Sequence, residues 1–137
     1  MLAKLRSFLA TRVRAGEPLP GCEIVHRAIL KARWLDEHGD ATAEAFLLRP
    51  ADHGCLSVCR RALSPWARCR THFNKVYGGV ALRVRPIRAV APRVETVADP
   101  EPGRPEHASI INLPDPATDR GAAERAATLL MAQARRL

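Results

Sequence analysis

Five histidines and a surplus of arginine are the parts of this 137-residue chain with chemistry to offer. His107 stands where a proline-bearing loop, "DPEPGRPE", meets the apolar run "HASIINLP", and His26 sits beside Arg27 in "EIVHRAIL". An imidazole titrates near neutrality, so beside a carboxylate such as Glu95 or Glu106 it can act as a general base. With an arginine it can clamp a phosphate. The catalytic candidates are therefore His107 as base, with His26 and Arg27, the arginine holding substrate. Each histidine also has a structural role open to it. An imidazole at a loop-to-strand junction commonly bonds a loop carbonyl, which is the role favoured for His107, and His38 before Gly39 suits a helix C-terminus through its dipole.

The stronger signal is charge. The net charge of +8 is carried by the middle of the chain: residues 51–93 hold nine basic side chains and one acidic, while the flanking thirds nearly balance. Arg60, Arg61, Arg68, Arg70, Lys75, Arg83 and Arg85, followed by Arg88 and Arg93, form a candidate surface for phosphates or for an acidic protein partner if they converge on one face. A solvated face rich in arginine through base composition is the plain alternative. Base-specific reading is not indicated: there is no zinc-finger spacing, no aromatic RNA-binding sheet motif and no glycine-rich phosphate loop. Binding of nucleic acid should be directed at the backbone.

Four cysteines without a secretory signal argue for free thiols and a cytoplasmic location. Cys55, Cys59, Cys69 and His72 make a poor zinc set, because residues four apart on a strand lie about 13 Å apart. No metal or cofactor is expected. No run of apolar residues reaches the ~20 needed to cross a bilayer.

The elements that must position these groups follow from pattern. Residues 1–20 read as an amphipathic helix, with Leu2, Leu5, Leu9 and Val13 on one side, and a breaker-rich link. Residues 21–137 read as a single domain. "CEIVHRAILKARWLDEHG" has helical spacing with Gly39 as a left-handed stop, and its rival is a short strand, "EIVHRAIL", which would send His26 and Arg27 to opposite faces. "CLSVCRR", "VALRVR" and "RVETV" read as strands, as does the run after His107. Ser64 and Pro65 open a helix predicted over 64–77, ended by a glycine pair, and a second is predicted over 119–136.

The order "HRAIL", "AFLLRPADHGCLSV", "EHASIINLP", spread over residues 24 to 114, resembles an uncharacterised family of small bacterial proteins marked by an early Arg, a Phe before a Leu-Ser-Val strand and a late His-Ala strand. That resemblance implies no activity. The chain is also similar to ADP-ribosyltransferase-type folds, which implies roles for His26 or Arg27, Ser57 and Glu95. The expected architecture is α+β: a small, mainly antiparallel sheet packed by two or three helices. The expected function is a small basic binding or accessory protein docking on nucleic-acid backbone or an acidic protein, with a small enzyme on a nucleotide or phosphate-bearing substrate as the alternative.

Overall fold

The computed structural model describes residues 13–137, so most of the expected N-terminal helix lies outside the described residues. Six antiparallel strands form one open sheet: β1 (Ile24–Ile29), β2 (Leu56–Arg60), β3 (Gly78–Arg83), β4 (Glu95–Ala98), β5 (His107–Ile111) and β6 (Arg135–Arg136). Their spatial order is β4-β5-β2-β1-β3-β6. Among the described residues three helices accompany them, α1 (Trp66–Cys69), α2 (Val84–Ile87) and α3 (Arg120–Gln133). The link at 13–20 is docked rather than free. Gly16 and Leu19 donate backbone bonds to Ala98 and Thr96 of the β4 edge, and Leu19 is buried.

Side chains alternate across a strand, so the registers sort the sheet into two faces. One carries Val25, Ile29, Leu56, Val58, Leu82 and Ile110 and packs under α3, whose Ala123, Ala126, Ala127 and Leu130 are buried against it and against a 3-10 turn at Ala43–Phe46. Small alanines let α3 approach closely, while Trp34, Phe46 and Leu130 fill the volume. Each such large side chain stabilises the fold by roughly 1.5–3 kcal/mol on burial. The opposite face carries His26, Ala28, Ser57, Cys59, Gly79, Ala81, Arg83, His107 and Ser109. It is the polar face, and segment 61–77 covers part of it.

Several expected elements take another form. The run after Cys22 is the strand and not the helix, because β1 is covered on both sides; five of its six residues are buried, so apolar side chains occur at every spacing and mimic a helical period. Gly39 does adopt a left-handed conformation, φ +80°, but in a turn where Asp36 and Asp40 bond each other's backbone rather than at a helix end. The helix predicted over 64–77 shrinks to α1 and a 3-10 turn at Arg70–His72. Ser64 makes no cap bond, since the cap position falls on Pro65. A longer helix is stopped by two tethers: Cys69 is bonded to Cys59 of β2, and Tyr77 donates to Ile29 at the start of β3. The C-terminal helix begins as expected, Asp119 accepting from the Ala122 amide, but stops at Gln133 because Arg135 and Arg136 pair with β3.

The expectation of four free thiols is corrected. Cys59 and Cys69, with Cα atoms 6.6 Å apart, form a disulfide, leaving Cys22 and Cys55 free. Two of the four residues of the Cys55, Cys59, Cys69 and His72 set are thereby withdrawn from metal binding, and the cysteines no longer point to a reducing compartment. Strand spacing alone could not show this, because Cys69 reaches Cys59 by folding back over the sheet.

Candidate functional site

Arg27 and Arg60 are not surface groups. Arg27 is buried on the α3 side, where its Nε donates to the Ala45 carbonyl at 2.7 Å and its guanidinium donates to Ser57 O at 3.0 Å. It also lies over the Trp34 ring, 5.7 Å from the centroid. Burial pulls its pKa down to about 10, which leaves it charged at neutral pH. It ties β1, β2 and the 43–46 turn together rather than meeting solvent. Arg60 is buried too, and its Nε donates to Glu23 Oε1 at 2.7 Å while a second nitrogen donates to Oε2 at 3.2 Å. Arg60 is therefore removed from the expected phosphate surface: the strand's alternation sends it to the core side, and Glu23 meets it there.

The neighbouring residue goes the other way. Arg61 follows Cys59 in alternation and donates its amide to Ile24, which on its other side pairs with Arg83 of β3. Arg61 and Arg83 thus flank Ile24 on the polar face, about 10 Å apart at ordinary strand spacing. Across β3, Ala81 pairs with Arg135 of β6, bringing a third arginine to the same face. All three are exposed. Among the described residues no carboxylate lies within 4.0 Å of them. Ile24, Ala81, Arg83, Pro86, Gln133 and Arg135 line a groove of about 320 Å³ there. Arg68, Arg70 and Lys75 are exposed on the covering segment, Lys75 lying 5.4 Å from the Tyr77 ring centroid. Arg85 and Arg93 are exposed on α2 and the turn that follows, and Arg88 is engaged with Glu95 at 2.8 Å. Arg135 was missed in the sequence because it reads as the end of a helix; its place beside β3 is a tertiary pairing without a local signal.

The histidines divide by environment. His107 is buried, and its Nδ1 lies 2.7 Å from the Asp99 carbonyl. A carbonyl only accepts, so Nδ1 carries the proton and the residue fills the junction role. Asp99 Oδ2 and Glu101 Oε1 each lie 3.4 Å from the same nitrogen, and Ser109 donates to Asp99 Oδ2 at 2.9 Å. Asp99, Glu101 and His107 bring one ligand atom each within 4.8 Å, a spacing that suits a cation, but a metal on Nδ1 would have to displace the carbonyl bond. The carboxylates anticipated for the histidines are otherwise occupied: Glu95 holds Arg88, and Glu106 Oε1 lies 2.9 Å from His72 Nε2.

His26 is 3 % exposed, meets Trp66 edge-on at 6.0 Å and has no hydrogen-bond partner among the described residues on either ring nitrogen. Burial, with the charge of Arg61 adding to it, pushes its pKa down to about 4, so it is neutral at physiological pH. His26 and Ser57 share the polar face and line one small cleft, whereas Glu95 sits on the outer strand β4, so the three positions suggested by the transferase resemblance are not gathered into one site.

Among the described residues no helix is long and apolar enough to cross a membrane. Comparison with protein-family models, curated proteins and solved structures finds no match to this chain, so its function rests on this geometry.

Proposed function

We propose that the protein is a small basic docking module that binds the phosphate backbone of nucleic acid across the Arg61, Arg83 and Arg135 end of its polar sheet face. The observation that carries this is the arrival of three exposed arginines on one sheet face, Arg83 of β3 and Arg135 of β6 lining the groove and Arg61, just past β2, across Ile24 from Arg83, with no counter-charge among the described residues. Unpaired surface guanidiniums side by side repel one another, and a polyanion relieves that repulsion while releasing its own counterions. Arg68, Arg70 and Lys75 extend the positive field over the covering segment, and residues 51–93 carry a single acid, Asp52, which is engaged by Arg49. None of the described residues lining the groove is aromatic, which favours contacts to backbone over stacking on bases.

Arginine footprinting tests this directly. Dicarbonyl modification followed by mass spectrometry, with and without a mixed-sequence oligonucleotide, should show protection of Arg61, Arg83 and Arg135, while Arg33 and Arg120 on other parts of the surface stay reactive. Uniform protection, or none, would sink the assignment. Protection by an acidic polypeptide but not by the oligonucleotide would make the partner a protein.

A further inference from the structure

Segment 61–77 leaves β2, crosses the polar face and returns as β3. Its regular structure is one four-residue helix and one three-residue turn. Its backbone bonds to the sheet fall near its two ends, at Arg61 with Ile24, at Leu63 and Ser64 with Arg60, and at Tyr77 with Ile29. Between those ends, side chains hold it down. Trp66 sits on Gly79, where an added Cβ would come within 2.7 Å of the ring's Cη2, and Phe73 lies under the Arg104 guanidinium at 5.6 Å. The covalent tie is Cys59–Cys69, with both cysteines buried.

The flap covers polar groups. Among the described residues no protein group hydrogen-bonds either ring nitrogen of His26 or the Nε of Arg104, and both residues line the cleft of about 30 Å³ beneath it. Nearly all buried polar groups in proteins are paired, because an unpaired one gives up its hydration for nothing. Closure of the flap takes these groups out of bulk water, and the disulfide favours the closed form by denying the open chain its freedom. The flap also holds Arg61, Arg68, Arg70 and Lys75 and no acid. Arg61 is fixed at the flap's root by its bond to Ile24, and the position of the flap decides where Arg68, Arg70 and Lys75 stand on that face.

We propose that Cys59–Cys69 is a redox clamp on the basic face: a dithiol reductant opens it, the flap lifts, and affinity for polyanions falls. This rests on the docking function proposed above. In the chemistry, one thiolate of the dithiol attacks a sulfur of the Cys59–Cys69 bond, giving a mixed disulfide and a cysteine thiolate. The second thiol then closes the reductant's own disulfide and releases the other cysteine, so two electrons and two protons pass to the protein and the dithiol is oxidised. Because both sulfurs are buried, attack waits on a transient lifting of the flap, which makes the reduction slow.

The experiment compares oxidised protein, protein reduced with dithiothreitol, and the Cys59→Ala/Cys69→Ala variant, all in a Cys22→Ser/Cys55→Ser background that prevents thiol exchange. Two readouts are taken: His26 titration by NMR, and oligonucleotide binding by anisotropy at low salt. The clamp requires that His26 titrate near 4 when oxidised and move toward the ordinary value near 6.5 in both reduced forms, while oligonucleotide affinity drops about ten-fold or more as several phosphate contacts are lost. If His26 titrates identically in all three forms, the flap does not open and the proposal is overturned whatever the binding shows. If His26 shifts but affinity is unchanged, the flap moves without controlling the surface, which overturns the proposal and leaves the docking function standing. If oxidised protein fails to bind at low salt, the docking function itself falls, and the control of binding proposed here falls with it.

Discussion

Removing one partner of the Glu23–Arg60 pair should be the most damaging conservative change in the fold. The two side chains are 6 % and 3 % exposed and meet through two charge-assisted bonds. Glu23→Gln keeps the size of the acceptor but takes the Glu23 carboxylate away from the buried Arg60 guanidinium. Stranding one member of a buried pair costs about 3–5 kcal/mol, a large part of the roughly 5–15 kcal/mol that stabilises a domain. Arg60→Met should cost a similar amount by stranding the carboxylate. The double variant Glu23→Leu/Arg60→Met removes both charges and should recover most of the loss, since apolar replacement of a buried pair is often neutral or better. Urea denaturation followed by the fluorescence of buried Trp34 compares wild type, the two single variants and the double variant. Single variants that lose less than about 1 kcal/mol, or a double variant worse than both, would refute the reasoning. Function is exposed to this pair as well, because Glu23 and Arg60 immediately precede Ile24 and Arg61 and set the row on which Arg61 and Arg83 stand.

Two further expectations follow from packing and protonation. Gly79→Ala places a methyl inside the space of the Trp66 ring and should destabilise by about 1–3 kcal/mol, as overpacking does, while Trp66→Ala in the same chain should relieve it; a Gly79→Ala variant as stable as wild type would show that the flap is not seated on β3. His26 has a folded pKa of about 4 against 6.5 for the free group, so below pH 6.5 the unfolded chain binds the proton that the folded chain refuses. Stability is thus fully present above 6.5 and declines as pH falls toward 4, by about 1.4 kcal/mol for each unit of pKa difference. Urea midpoints at pH 7 and pH 4.5 should fall further for wild type than for His26→Phe, and equal falls would contradict the burial of a neutral imidazole.

The sequence carried the sheet better than the helices. "VALRVR" and "RVETV" alternate or carry β-branched residues between turn signals, and β3 and β4 lie within a few residues of the expected places. The start of α3 was legible within a residue, and the Asp119 cap that fixes it there is a local device. Residues 24–29 misled because burial on both faces erases the alternation that identifies a strand. The 64–77 segment misled because its cap and stop signals were intact while its length was decided elsewhere, by a disulfide to β2. At the site, the charge excess was legible but its sorting was not. Arg60 and Arg61 are neighbours of the same type, yet one is buried against Glu23 and the other is exposed on the polar face, a difference set by strand parity and a partner 37 residues away. Arg135 gave no signal, since two residues pairing at a sheet edge have no pattern of their own.

The central claim is that Arg61, Arg83 and Arg135 together contact phosphates. Its most direct measurement is anisotropy of a mixed-sequence single-stranded oligonucleotide across a salt series, for wild type and for Arg61→Gln/Arg83→Gln/Arg135→Gln. Each phosphate contact contributes about 0.7 to the slope of log affinity against log salt on a single strand. Wild type should bind at low salt and lose affinity steeply as salt rises, and the triple variant should bind more weakly with a slope flatter by about 2. Equal slopes for the two proteins, with affinity unchanged, would place the contacts elsewhere and contradict the account.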